Sequence, residues 1–121
     1  VQDSVALFRA EYDRVNRELY AGALPPFPGV LVTDRRDLFS LTTTLGRGPS
    51  RRLMPFELSR HVRGPLLREA ILHAIAHAAA LLLDEDEGHG PAWRAHAARI
   101  GARATATLDR GDHLRAEWDA D

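Results

Sequence analysis

The 121-residue sequence contains no cysteine. Disulfides, thiol catalysis and thiolate-bound metal are therefore excluded, and the chain suits a reducing compartment. It contains no lysine either. All 16 basic residues are arginine, beside heavy alanine usage, which reads as the mark of a GC-rich, bacterial genome. An excess of one charge is missing too, since 16 basic residues face 17 acidic ones for a net charge of −1. The chain as a whole is no polycation, and any affinity for nucleic acid has to come from a local patch. An unbroken apolar run of about 18 residues is also absent, so no membrane-spanning helix and no membrane partner are expected. No leader-like segment is visible, and the opening on Val1 instead of Met reads as a piece trimmed from a longer protein. The expected compartment is the cytoplasm, with association with the nucleoid open.

What is present is an ordinary globular mixture, 45% hydrophobic and 27% charged, of a length that builds one core. A single domain over 1–121 is expected, with its core at about 4–101 and a weakly patterned tail over 102–121. Asp3 and Ser4 offer an N-cap to a helix reaching about Tyr20, where Val5, Phe8, Tyr12, Val15 and Leu19 form one apolar stripe. The stripe reads as a packing face. Ala21, Gly22, Leu24, Pro25 and Pro26 stop that helix. Three extended runs follow, at 30–33, 38–45 and 52–58, separated by turn-like breaks at 34–37 and 46–50. They predict a small three-stranded antiparallel sheet in meander order, and Pro55 argues that the third strand lies at an edge or starts late. The overall class is α+β.

Residues 66–83 then read as one buried helix, opened by Gly64-Pro65. Within it, His73 and His77 are four apart and so project from one face. His89 follows twelve positions beyond His77, between Gly88 and Gly90, where the backbone can bend sharply enough to aim a side chain back at the helix. A lone histidine on an apolar helix is usually a satisfied core residue. Three in this arrangement match the donor set of an open zinc site, and His73, His77 and His89 are the expected metal ligands. Asp84, Glu85, Asp86 and Glu87 read as a solvated cap. Pro91 opens a further helix to about Ile100, with Trp93 anchoring it and His96 exposed. His61 and His113 sit in polar surroundings and are assigned no work.

Between residues 47 and 63, Arg47, Arg51, Arg52, Arg60 and Arg63 stand against the single acid Glu57. A local excess of four positive charges suits a phosphate backbone, and equally suits a solvated hairpin.

The H-x-x-x-H frame is that of the zincin metallopeptidases, and the eleven-residue gap to His89 excludes the metzincin spacing of five. More of the chain carries a closer likeness. Phe8, Tyr12, Asn16, Leu19 and Tyr20 precede Gly22-Ala23-Leu24-Pro25; Leu72 and Ala78 flank the histidine pair; Gly88-His89-Gly90-Pro91 leads to Trp93 and Arg99-Ile100-Gly101. Over about 4–101 the chain resembles the SprT-like metallopeptidase domain of the Spartan DNA–protein crosslink proteases. The resemblance implies a minimal zincin-like fold, zinc on His73, His77 and His89, and cleavage of proteins attached to or near DNA, often stimulated by single-stranded DNA. It also implies a carboxylate beside the first histidine that takes a proton from water and passes it to the leaving amine. The five arginines become a candidate DNA-facing surface.

Two departures stand out. The cysteine-built zinc ribbon of many members has no counterpart here. More seriously, the general-base position is Ala74, whose methyl cannot accept a proton. Glu69, one turn before His73, is at the wrong offset to replace it, though it could support that ligand. An engineered change is favoured over natural loss, because the rest of the site is intact. The expected function is a SprT-like zinc endopeptidase silenced at Ala74. The rivals are a non-enzymatic, zinc-stabilised binding module with native Ala74, and a metal-free helical scaffold with core histidines.

Overall fold

A computed structural model describes residues 3–86 and 88–102. The expected tail and His113 lie outside them. Helix α1, Ser4–Leu19, starts where Asp3 accepts hydrogen bonds from the Val5 and Ala6 amides at 3.0 and 3.2 Å. Phe8, Tyr12 and Val15 bury its inner stripe, while Val5, at the open end, stays exposed. The turn after α1 is folded back onto it by side chains. Asn16 exchanges two 2.9 Å hydrogen bonds with the backbone of Leu24, and the Tyr12 hydroxyl donates to the Pro25 carbonyl at 2.7 Å.

The sheet differs from the expected meander. Strands β1 (Val30–Thr33), β2 (Ser40–Leu41), β3 (Thr44–Leu45), β4 (Arg52–Leu53) and β5 (Phe56–Ser59) form two units. In the first, of order β1-β5-β2, β1 pairs parallel to β5 and β2 antiparallel to it; in the second, β3 and β4 form a hairpin. The sheet is therefore mixed, and two of the three expected runs are each split. The run at 52–58 breaks at Met54 and Pro55, where a residue without an amide hydrogen ends one ladder and precedes the next. Pro55 marks a late start, as expected, but β5 is the central strand and not an edge. The missing donor falls just outside the ladder, so it costs the centre nothing. A parallel β1–β5 pair needs a long crossover, and β2 with the hairpin makes up that connection.

Helix α2, Pro65–Asp84, is the central element, with Gly64 as its N-cap and Glu85 closing it in the left-handed region at φ 53°. At 20 residues it is about 30 Å long. Nearly every side chain from Ala70 to Leu81 is buried, packed by α1, the sheet, the hairpin and a third helix, α3 (Pro91–Ile100). By length and composition α2 could cross a membrane, although most of it is buried inside the domain. A count of consecutive apolar residues passes over it because Arg68, Glu69, His73 and His77 interrupt the run without making the segment polar. On α3, Trp93, Ala97 and Ile100 face the core as expected, and Gly101 ends the helix at φ 92°. His96 is a correction: it is buried, because it faces Tyr20 and Asp84 instead of solvent.

Candidate metal centre

The α2 helix and the loop after it bring three imidazoles to one point. His77 Nε2 lies 3.1 Å from His73 Nε2 and 3.0 Å from His89 Nε2. One ligand atom from each histidine falls within 4.8 Å of the others. Two nitrogens at about 2.05 Å from a tetrahedral zinc ion stand about 3.4 Å apart. These two separations need only a few tenths of an ångström of adjustment and the third pair lies within 4.8 Å, so the donor set suits a small divalent cation with a fourth position left open. His73 is almost fully buried, while His77 and His89 are partly exposed. The cluster is thus reached from one side.

Trp93 is the floor. Its ring centroid lies 4.9, 5.3 and 4.6 Å from those of His73, His77 and His89, with the first and third packed edge to face. An indole buried against all three rings restricts their rotation.

Asp84 and Glu85 are exposed, as a solvated cap would be, and Asp86 is half-buried, but each of the three also holds a partner within the fold. Asp84 accepts from His96 Nε2 at 2.6 Å, and His96 Nδ1 accepts from the Tyr20 hydroxyl at 2.6 Å. Glu85 accepts from the Gly48 amide at 3.2 Å, tying the β3–β4 hairpin to the end of α2. Asp86 accepts from the Gly88 amide at 3.0 Å and the Trp93 amide at 3.1 Å. Those two amides, with the nearby imidazoles, hold its carboxyl below the usual range. These roles are not legible in the sequence, where Asp84, Glu85 and Asp86 stand side by side and carry no sign of their separate partners. The one available signal is Gly90, an N-cap position without a side chain.

Ala74 is fully buried beside the ligands. The Thr42 hydroxyl donates to its carbonyl at 3.0 Å, and the Ser40 hydroxyl makes a longer 3.5 Å contact with the Ala70 carbonyl. Alanines at 70 and 74 let the strand come this close. Glu69 is half-buried one turn before His73. A cavity of about 180 Å³ opens between β2 and the ligand loop, lined by Ser40, Leu41, Thr42, His77, Leu81, Gly88 and His89.

The five arginines do not form one patch. Arg47, Arg51 and Arg52 lie in or beside the hairpin, fastened through Gly48 to Glu85 at the C-terminal end of α2. Arg60 and Arg63 line a different cavity, with Gly64, at its N-terminal end. Arg51 is turned inward: its side chain is 11% exposed and donates to the Thr44 hydroxyl at 2.9 Å. Arg60 pairs with Asp34 at 2.8 Å, and His61 reaches the same carboxylate at 2.7 Å.

Three helices, small sheets and a convergent histidine triad among the described residues define the class, an α+β domain. The chain belongs to the SprT-like family, whose sequence model matches residues 10–113. No curated protein and no solved structure matches it.

Proposed function

We propose that this domain is a zinc metallopeptidase unit of zincin-like fold, held inactive by Ala74, whose target is protein associated with DNA. The convergence of His73, His77 and His89 on one point beside an open cavity carries the reading. Zinc held by these three nitrogens supplies Lewis acidity and lowers the pKa of a coordinated water from about 15.7 to about 7. The protein supplies the rest. Trp93 and the loop keep the imidazoles aimed inward. β2 is an edge strand beside the cavity, so an extended peptide can add to it through main-chain hydrogen bonds. Leu41 and Leu81 then offer an apolar wall to one of its side chains.

The Asp86 carboxylate, beside the ligand loop, is engaged by the Gly88 and Trp93 amides. Ala74 has none to offer, and the Thr42 hydroxyl is engaged with the Ala74 carbonyl. Loss of a general base costs about 10²- to 10⁴-fold in rate. The test compares this chain with Ala74→Glu on a DNA-bound protein substrate, with zinc or chelator and with or without single-stranded DNA. Chelator-sensitive cleavage by the glutamate form, faster by about 10² or more, is the expected result. A folded, zinc-loaded glutamate form that cuts nothing would instead favour a zinc-stabilised binding module. The tight burial of the Ala74 methyl is the observation on that side.

A further inference from the structure

The third ligand sits on a loop, and loops set side chains less well than helices do. His73 and His77 are placed by α2; His89 has no such element beneath it. What the loop has is Asp86. One carboxylate oxygen accepts from the amide of Gly88, just before His89, and the other from that of Trp93, four residues after it. Trp93 is the third residue of α3, the position a helix-capping side chain normally serves. The N-cap residue itself, Gly90, has no side chain to do this. A Cβ built on Gly90 would stand 3.3 and 3.7 Å from the two Asp86 oxygens, so the carboxylate occupies the place of the missing cap.

We propose that Asp86 is a positioning residue for the metal centre: its carboxylate staples the loop on both sides of His89 and presets that imidazole before the metal arrives. The proposal rests on the zinc reading of the histidine triad. It goes beyond a helix cap, because a cap alone would hold Trp93 and leave Gly88 loose.

The test is zinc affinity by chelator competition for the full chain, Asp86→Ala, Asp86→Asn and Glu85→Gln. Asp86→Ala should bind zinc about tenfold to a hundredfold more weakly, the usual effect of removing a group that orients a ligand. Asp86→Asn, which keeps one acceptor, should lose less, and it carries the test if the alanine variant does not fold. Glu85→Gln removes the same charge one residue away, from a group bonded to Gly48 instead, and should stay within about twofold of the parent, well short of the effect of an orienting group. Equal losses at both positions would make the effect one of charge and overturn the proposal. So would unchanged affinity in Asp86→Ala with a lowered Tm, the signature of a cap alone. A second arm needs no zinc: in the metal-free parent the Gly88 and Trp93 amides should exchange slowly with solvent, and in Asp86→Asn at least one should exchange faster. Protected amides in a chain that takes up no zinc would sink the metal reading and leave the staple standing. Unprotected amides in a chain that binds zinc would do the reverse.

Discussion

At the scale of single residues, His96 links the end of α1 to the end of α2 by standing between the Tyr20 hydroxyl and the Asp84 carboxylate. Asp3 as a cap, Pro65 and Pro91 as helix openers, and the histidine pair each follow from spacing along one element. His96 reads as exposed from the sequence because its hydrogen-bonding neighbours lie far away: Tyr20 is 76 positions upstream. Asp84 fixes the tautomer, since a carboxylate accepts the Nε2 hydrogen and leaves Nδ1 to accept from the tyrosine. Arg99 adds to the same joint, with its guanidinium 4.4 Å from the Tyr20 ring centroid and a hydrogen bond to the Leu19 carbonyl. Tyr20→Phe would leave that buried nitrogen without its donor, at a cost of about 1–3 kcal/mol. Denaturant unfolding should show the loss as a lower midpoint with an unchanged slope.

At the scale of elements, all three helices were legible, to within a residue or two, from apolar spacing, caps and prolines. The sheet was not. β2, β3 and β4 are two residues each, too short for an alternating pattern to declare which neighbour they choose. The parallel β1–β5 pair depends on where the whole crossover goes. Between helices, one ion-pair group joins α1 to α2: Glu11 accepts from Arg14 at 2.8 Å and from Arg68 at 3.1 Å. Burial opposes ionisation of Glu11, but the two guanidiniums outweigh it and hold its carboxyl below the ordinary 4.5. A depressed folded pKa means that the unfolded chain binds the proton first as pH falls. The stabilisation from Glu11 is therefore complete above about pH 4.5, and it fades as pH drops through the lower folded value. Tm measured against pH should separate the chain from Glu11→Gln at neutral pH, and the two curves should converge in acid.

At the scale of the whole molecule, five arginines close in sequence divide between the two ends of a helix about 30 Å long. The group at the hairpin shares its end with the ligand loop, through Glu85 and the residues after it. If single-stranded DNA lies near the metal centre, Arg47 and Arg52 are the exposed members that can meet it. Replacing both with glutamine should weaken binding and reduce the slope of log K against log salt by about 0.7 for each phosphate no longer neutralised. Replacing Arg60 and Arg63 should leave both nearly unchanged. A dominant effect of the Arg60 and Arg63 pair would move the nucleic-acid surface to the other end of the domain. The sequence shows the excess charge but not the division, because a contiguous stretch of chain gives no sign that its two halves fold to opposite ends of α2.

The two walls of the cavity have different histories along the chain. The ligand histidines are 4 and 12 positions apart, whereas Thr42 meets Ala74 across 32. Closing a short loop costs less entropy than closing a long one, and local contacts form faster. The histidine triad can therefore gather as soon as α2 and α3 fold against each other, while the strand that borders it arrives later. A metal ion present during folding would meet the three imidazoles before the cavity beside them is complete.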